Sequence, residues 1–134
     1  MKITYTQIAI VGAVALAHWS APLFAEALRE QNKQFLGSYE KVRHALVADD
    51  LTGAKEAAKE LGASGTALSQ SKTLDEARAA FLRSSAEAEK LAVGQPGYYV
   101  MHCPMKKADW VQTTSKVENP YAGKEMLSCG EVKK

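Results

Sequence analysis

The sequence predicts a mainly α-helical fold: an up-down bundle of three main helices that carries a small C-terminal lobe of irregular structure and short strands. Three stretches of the chain have apolar residues at spacings of three, four and seven, which is typical of helices with one buried face. After Gly97 this periodicity stops, and turn residues and β-prone residues replace it. Both cysteines and three of the four methionines lie within residues 98–130. We therefore expect a helical scaffold followed by a chemically distinct tail.

Residues 1–25 have the pattern of a signal peptide. A lysine near the start is followed by an apolar run at 8–17 and then by small residues. A membrane anchor is the alternative, but the run is shorter than the about 20 residues that a span needs, and His18 interrupts it. Cleavage before Glu26, or earlier after Ala21, would release a periplasmic protein that has no membrane attachment.

The rest of the chain, residues 26–134, is predicted to form one domain. It divides into a helical bundle at 26–94 and a lobe rich in cysteine and methionine at 95–134. The chain has 17 basic and 15 acidic residues, and removal of the leader takes away only Lys2. This balance, with no basic stripe, argues against nucleic acid as a partner.

The sequence offers no pattern that is typical of an enzyme. It has no CxxC redox pair, no CxxCH haem attachment and no glycine-rich loop that would cradle a phosphate. Neither His44 nor His102 has an acid and a serine at a recognisable spacing. We therefore expect a protein that is not an enzyme.

The first helix is predicted over residues 26–49. Charged side chains fall mostly off its apolar stripe, so we expect them, Arg43 included, to face solvent. His44 lies beside the stripe and is interpreted as a surface or boundary histidine. The stripe itself is built from Leu28, Phe35, Tyr39, Val42 and Leu46.

The second helix is predicted to begin after an N-cap at Asp49 or Asp50 and to continue to about Ser69. Gly62 and Gly65 weaken its middle, because each glycine costs roughly 1 kcal/mol relative to alanine in a helix. We expect the helix to end early or to bend there. Its buried face is predicted to contain Leu51, Ala54, Ala58, Leu61 and Leu68.

The third helix has the clearest start and stop signals. Thr73 and Glu76 form a capping box, in which the threonine hydroxyl accepts from the N3 amide and the glutamate reaches back. Gly94 and the following Pro96-Gly97 end the helix. The apolar face is predicted to contain Leu74, Ala77, Phe81, Ala88 and Leu91.

The tail is predicted to consist of short extended pieces joined by turns. Residues 98–103 are β-prone, and Pro104 favours an extended conformation at the residue before it. A second extended piece or a helical turn is expected around Trp110. Residues 118–123 form a turn signature, and 124–129 could make one helical turn.

The sulfur atoms of the tail form two candidate ligand pairs. Cys103 and Met105 can point the same way in an extended chain, and Met126 and Cys129 share a face on one helical turn. Such a donor set favours a soft ion, Cu(I) above all. Zinc would find three good ligands, the two cysteines and His102, although His102 alternates to the other face of a regular strand. Met101 shares the Cys103 face and is a reserve ligand.

A disulfide between Cys103 and Cys129 is the alternative interpretation. It would close about 27 residues and stabilise the fold by roughly 3.5 kcal/mol in the chain-entropy estimate. The methionines would then be core filler. Spacing alone favours this disulfide. The two interpretations are nevertheless compatible, because the thiolates could bind an ion in the reduced state and release it when they are oxidised to the disulfide.

The tail also resembles a known family. The residues that carry the resemblance are the HCPM run ending at Met105, then Trp110, the NPY run ending at Tyr121 with Gly123, and the MLSCGEV run around Cys129. Upstream, residues 39–61, the ARAAF run ending at Phe81, and Ser84 resemble the same family. It is a periplasmic domain of unknown function that occurs alone or fused to adaptor (membrane-fusion) subunits of heavy-metal RND efflux pumps.

The resemblance implies a role with copper or silver and makes an efflux adaptor a candidate partner. Cys103, Met105, Met126 and Cys129 stand at the family's most distinctive positions. The Lys106-Lys107 pair departs from the family pattern and makes the rim of the site more basic. With the resemblance, metal binding becomes the leading hypothesis; a disulfide-shaped module that docks on such an adaptor is the alternative.

Overall fold

The computed structural model describes residues 28–133, so the predicted leader lies outside the described residues. This part of the chain is mostly helical and ends in a three-stranded antiparallel sheet. No helix within it is long and apolar enough to cross a membrane. The mainly α prediction with short strands in the tail is confirmed at this level. The helices are α1 (Glu30–Val47), α2 (Leu51–Ala58), α3 (Thr66–Ser69) and α4 (Leu74–Ala92); the strands are β1 (Tyr99–Cys103), β2 (Ala108–Gln112) and β3 (Glu131–Val132).

Helix α1 begins at Glu30, later than the predicted start, and buries most of the predicted stripe. The prediction was wrong for Arg43, whose side chain is fully buried. Arg43 is one residue from Val42 and three from Leu46, so it lies on the edge of the buried face, where an acidic partner on another segment can cover it. The core positions of α1 are Leu36, Tyr39, Val42, Arg43 and Leu46.

The predicted second helix is divided into three pieces, as the glycines indicated. Helix α2 begins after Asp50, whose carboxylate accepts a hydrogen bond from the Gly53 amide at 2.9 Å. A 3-10 helix follows at Lys59–Ser64, and α3 comes after it. The break lies at Gly62, where φ is 60° and ψ is −136°, a combination that only glycine adopts without strain.

The capping box of α4 is confirmed. The Glu76 amide donates to Thr73 Oγ1 at 3.1 Å, and the Glu76 carboxylate accepts from the Lys72 amide at 2.7 Å. The helix ends two residues before Gly94, which has φ of 74°. The cap therefore satisfies the Glu76 amide, which has no partner within the helix, and the carboxylate of Glu76 binds the amide of Lys72, the residue before the N-cap.

The sheet has the order β2-β1-β3, and all its pairs are antiparallel. The register pairs Met101 with Trp110 and Cys103 with Ala108 on one side, and Met101 with Val132 on the other. The predicted extended pieces at 98–103 and near residue 110 are confirmed. In place of a helical turn at 124–129, a 3-10 helix occupies Gly123–Met126 and a turn follows it.

Aromatic contacts join the tail to the helices. The ring of Tyr39 on α1 stacks on Phe81 of α4, with centroids 4.9 Å apart. Tyr121 of the tail contacts Phe81 at 5.8 Å and meets Trp110 of β2 edge-on at 6.2 Å. Since Trp110 is fully buried, the tail contributes to the same hydrophobic core as the helices.

Candidate metal centre

The structure brings the two cysteines of the chain together. Cys103 is the last residue of β1, and Cys129 lies two residues before β3. Continuation of the β1–β3 register would place Cys103 opposite Gly130, so its neighbour Cys129 approaches the same point. The two Sγ atoms are 2.7 Å apart, with no disulfide bond between them in the structure. Two sulfurs this close can bind one metal ion together, or they can form a disulfide bond, whose S–S length is about 2.05 Å.

Buried groups around Cys129 hold it in this position. The side-chain amide of Asn119, which is fully buried, donates to the Cys129 carbonyl at 2.8 Å, and its oxygen accepts from the Tyr121 amide at 2.8 Å. Gly130 packs on the indole of Trp110, and a Cβ there would come within 2.6 Å of that ring. The sheet, the Asn119 turn and the glycine together position Cys129 beside Cys103.

The two thiols differ in their electrostatic surroundings. Burial raises the pKa of Cys103, but hydrogen bonds from the Cys129 thiol, the Lys106 and Met105 amides and the Asn119 side chain outweigh this, so the pKa is lowered. The pKa of Cys129 is raised, because its proton is held in the hydrogen bond to Cys103. Cys103 is therefore the sulfur that ionises first, and Cys129 keeps the shared proton.

The predicted methionine ligands lie on the segments that flank the thiol pair. Met105 is in the turn between β1 and β2, and its residue is 72% exposed. Met126 ends the 3-10 helix and is half-buried, and the Cys129 amide donates to its carbonyl at 3.0 Å. Met101 is fully buried in the core, where it packs as a hydrophobic residue. Met105 is thus exposed and Met126 half-buried, whereas the side chain of the reserve ligand Met101 is enclosed in the core.

His102 lies on the opposite face of β1 from Cys103. Its Nδ1 is 2.6 Å from Asp109 Oδ1, on the neighbouring strand. Lys133 joins the same cluster through hydrogen bonds of 2.7 Å to Asp109 and to Glu89 of α4. Burial raises the pKa of Asp109, but the hydrogen bonds from Lys133 and His102 outweigh it and lower that pKa. His102 is therefore engaged by a polar cluster and is not brought to the sulfur pair.

Harder nitrogen and oxygen ligands are not assembled in the part of the chain that the structure describes. Within residues 28–133 no group of three or more His, Cys, Asp and Glu side chains could hold a metal ion. Cysteine thiolates bind both zinc and Cu(I), whereas methionine thioethers suit Cu(I) and are not among the usual ligands of zinc.

Two buried polar residues that support this region, Arg43 and Gln112, were not identified from the sequence as such. Arg43 donates to the Glu118 carbonyl at 3.2 Å and contacts its carboxylate, which fixes the residue before Asn119. Gln112 is fully buried and donates to the carbonyls of Thr114 and Lys116 at 2.7 and 2.6 Å. Only the turn signature at 118–123 pointed to this region. The partners of Arg43 and Gln112 depend on tertiary contacts that no local pattern reveals.

No family model, curated protein or solved structure matches the chain. The resemblance to the periplasmic domain of heavy-metal efflux systems remains a prediction that rests on the tail motif and on the upstream residues named with it.

Proposed function

We propose that the chain is exported to the periplasm, where it binds one soft metal ion, Cu(I), in metal handling or resistance. The observation that supports this most is the 2.7 Å approach of the Cys103 and Cys129 sulfurs in a lobe that is partly open to solvent. Soft thiolates select Cu(I) over ions that prefer oxygen or nitrogen. The ion is cargo in this proposal, and the chain is not an enzyme.

The donor set of the proposed site consists of the two thiolates, with Met105 and Met126 as thioether ligands. Metal binding displaces thiol protons, so the lowered pKa of Cys103 favours binding at neutral pH. Met105 is exposed and lies in a turn, so its side chain can move to an ion at the thiolates. His102 belongs to the predicted ligand set, but its bond to Asp109 makes it the least suited member.

The proposal includes three further expectations from the sequence. The long helices run in up-down order as a scaffold for the lobe. The mature protein has no membrane attachment after leader cleavage and no nucleic-acid partner. An efflux adaptor is the proposed protein partner, because the tail resembles the domain that is fused to such adaptors.

Competition with a chromophoric Cu(I) chelator tests metal binding. We expect Cys103→Ala and Cys129→Ala each to weaken binding by the reduced protein at least about tenfold, which is about 1.4 kcal/mol. Met126→Leu and Met105→Leu should weaken it less, and His102→Ala should leave it nearly unchanged. The proposal fails if the reduced wild type competes no better than the variant that lacks both cysteines.

The second candidate is a structural module in which a Cys103–Cys129 disulfide shapes the lobe for docking on an efflux adaptor. The short distance between the sulfurs favours it as well, because a small movement would allow the bond to form. Thiol counting and intact mass on protein purified from the periplasm distinguish the two functions. A fully oxidised protein that is indifferent to metal would favour the module.

A further inference from the structure

We propose that the Cys103–Cys129 pair is a thiol–disulfide switch in which an incoming thiol attacks Cys129 and Cys103 is the sulfur that leaves. The inference rests on the proposed function, because it supplies the redox control of the same two ligands. The reaction partner is a dithiol, either a small molecule or a protein.

The exposure of the two cysteines sets the direction of attack. Cys103 is fully buried at the end of β1, whereas Cys129 is half-buried in a turn whose neighbour Ser128 is exposed. Exchange requires that the attacking sulfur reach the disulfide sulfur directly, so access decides which of the two reacts. Of the two residues, only Cys129 is partly exposed to solvent.

The surroundings of Cys103 suit the leaving group. The Lys106 amide points at Cys103 Sγ with a nitrogen–sulfur distance of 3.4 Å, and the Lys106 and Lys107 side chains lie exposed in the same turn. An amide donor stabilises the negative charge that appears on a leaving thiolate, and the two cations attract an anionic attacking thiolate. Both features are fixed by the β1–β2 turn before any reaction takes place.

The exchange balances in two steps. A thiolate of the reductant attacks Cys129 Sγ, the bond between Cys129 and Cys103 breaks, and its electron pair leaves on Cys103 as a thiolate. The second thiolate of the reductant then attacks its own half of the mixed disulfide and releases the Cys129 thiolate. Two electrons pass from the dithiol, which becomes a disulfide, to the protein pair. The reverse direction oxidises the pair and removes both thiolate ligands from the ion.

Digestion with trypsin identifies the attacked sulfur, because Cys103 and Cys129 fall on different peptides. Lys106 ends the first peptide, and the second runs from Glu125 to Lys133. Oxidised wild-type protein would be treated with glutathione, quenched with acid, digested and analysed by mass spectrometry. We expect glutathione on the Cys129 peptide in at least about tenfold excess over the Cys103 peptide. Equal labelling, or an excess on Cys103, would overturn the proposal.

Single-cysteine variants give an independent measurement. In the reduced, folded state, Cys129 of Cys103→Ala should react with iodoacetamide at least about tenfold faster than Cys103 of Cys129→Ala. In strong denaturant the two rates should become equal, which is the matched control for intrinsic reactivity. Equal rates in the folded state would contradict the proposal. Neither experiment contains metal, so their results do not depend on whether the protein binds Cu(I). Conversely, the Cu(I) titration does not depend on which of the two cysteines an incoming thiol attacks.

Discussion

The hydroxyl of Tyr39 joins a helix, a second helix and the sheet at one buried point. It lies 2.9 Å from the Ser85 hydroxyl of α4 and accepts from the Val111 amide of β2 at 3.1 Å. Tyr121 donates to the same serine at 2.8 Å. The amide of Val111 faces away from β1, so Tyr39 satisfies a donor on the outer edge of β2 that would otherwise be buried without a partner.

Replacement of Tyr39 by Phe should lower the free energy of unfolding by about 1–3 kcal/mol, because it leaves that amide unsatisfied while the ring still packs on Phe81. Urea denaturation measures the change. Tyr99→Phe, at an exposed position, is the matched control and should change stability by less than about 0.5 kcal/mol. An unchanged midpoint for Tyr39→Phe would show that water replaces the hydroxyl without loss.

The same two tyrosines should make the fold sensitive to alkali. Burial raises the pKa of Tyr39 and of Tyr121 well above the ordinary value of about 10. The folded state therefore holds the phenol protons more tightly than the unfolded state, and stability should be level below about pH 10 and fall above it. Urea midpoints across this range measure the effect. Tyr121→Phe should make the loss of stability above about pH 10 less steep. An unchanged slope of stability against pH would contradict the contribution of the Tyr121 phenol.

At the scale of elements, local signals in the sequence predicted where helices begin, bend and end, but no local signal predicted the contacts between distant segments. The Thr73 cap, the bend at Gly62 and the extended piece before Pro104 follow from local backbone chemistry, so the sequence predicted them. The position of β3 and the burial of Arg43 depend on residues far along the chain, such as Glu118, and could not be predicted.

The two glycines Gly37 and Gly62 should respond in opposite ways to alanine. Gly37 lies within α1 with no atom close to the site of a new Cβ, so Gly37→Ala should stabilise by about 0.5–1 kcal/mol. Gly62 has positive φ, so Gly62→Ala should destabilise by about 1–3 kcal/mol. Thermal and urea unfolding of the two variants measure both signs. A stabilising Gly62→Ala would show that the break between α2 and α3 is not required.

For the whole molecule, Arg43 is one of the polar links between the bundle and the lobe. Its guanidinium donates twice to Glu40 at 2.8 Å and reaches the carbonyl and carboxylate of Glu118 across the interface. Glu118 precedes Asn119, which holds Cys129. The buried arginine is therefore linked to Cys129 through Glu118 and the hydrogen bond that Asn119 donates to the Cys129 carbonyl.

Replacement of Arg43 by Ala should lower the free energy of unfolding by about 2–4 kcal/mol, since two carboxylates lose a buried partner but remain partly solvated. Arg83→Ala, on the exposed face of α4, is the control and should change stability by less than about 0.5 kcal/mol. Chemical denaturation compares the two variants. Equal changes in the free energy of unfolding for the two variants would contradict the role of Arg43 in holding the lobe on the bundle.

The sulfur site could be anticipated from the sequence only in part. Both cysteines occupy one short span, and their meeting follows once β1 and β3 pair. The spacing of Cys103 with Met105 and of Met126 with Cys129 predicted two convergent pairs. The structure brings the thiols together and keeps both methionines on the adjoining segments. His102 could be assigned to the other face from strand alternation alone, and its partner Asp109 required the β1–β2 register.

The central claim is that the two thiols, in the reduced state, hold one soft ion between them. The most direct test titrates Cu(I) against a chromophoric chelator with the unmodified chain in two states, fully reduced and oxidised by a thiol oxidant. We predict that the reduced protein retains one Cu(I) per chain at a chelator concentration that strips the oxidised protein completely. Equal retention by the two states would contradict the claim, since the metal would then be bound without the Cys103 and Cys129 thiols.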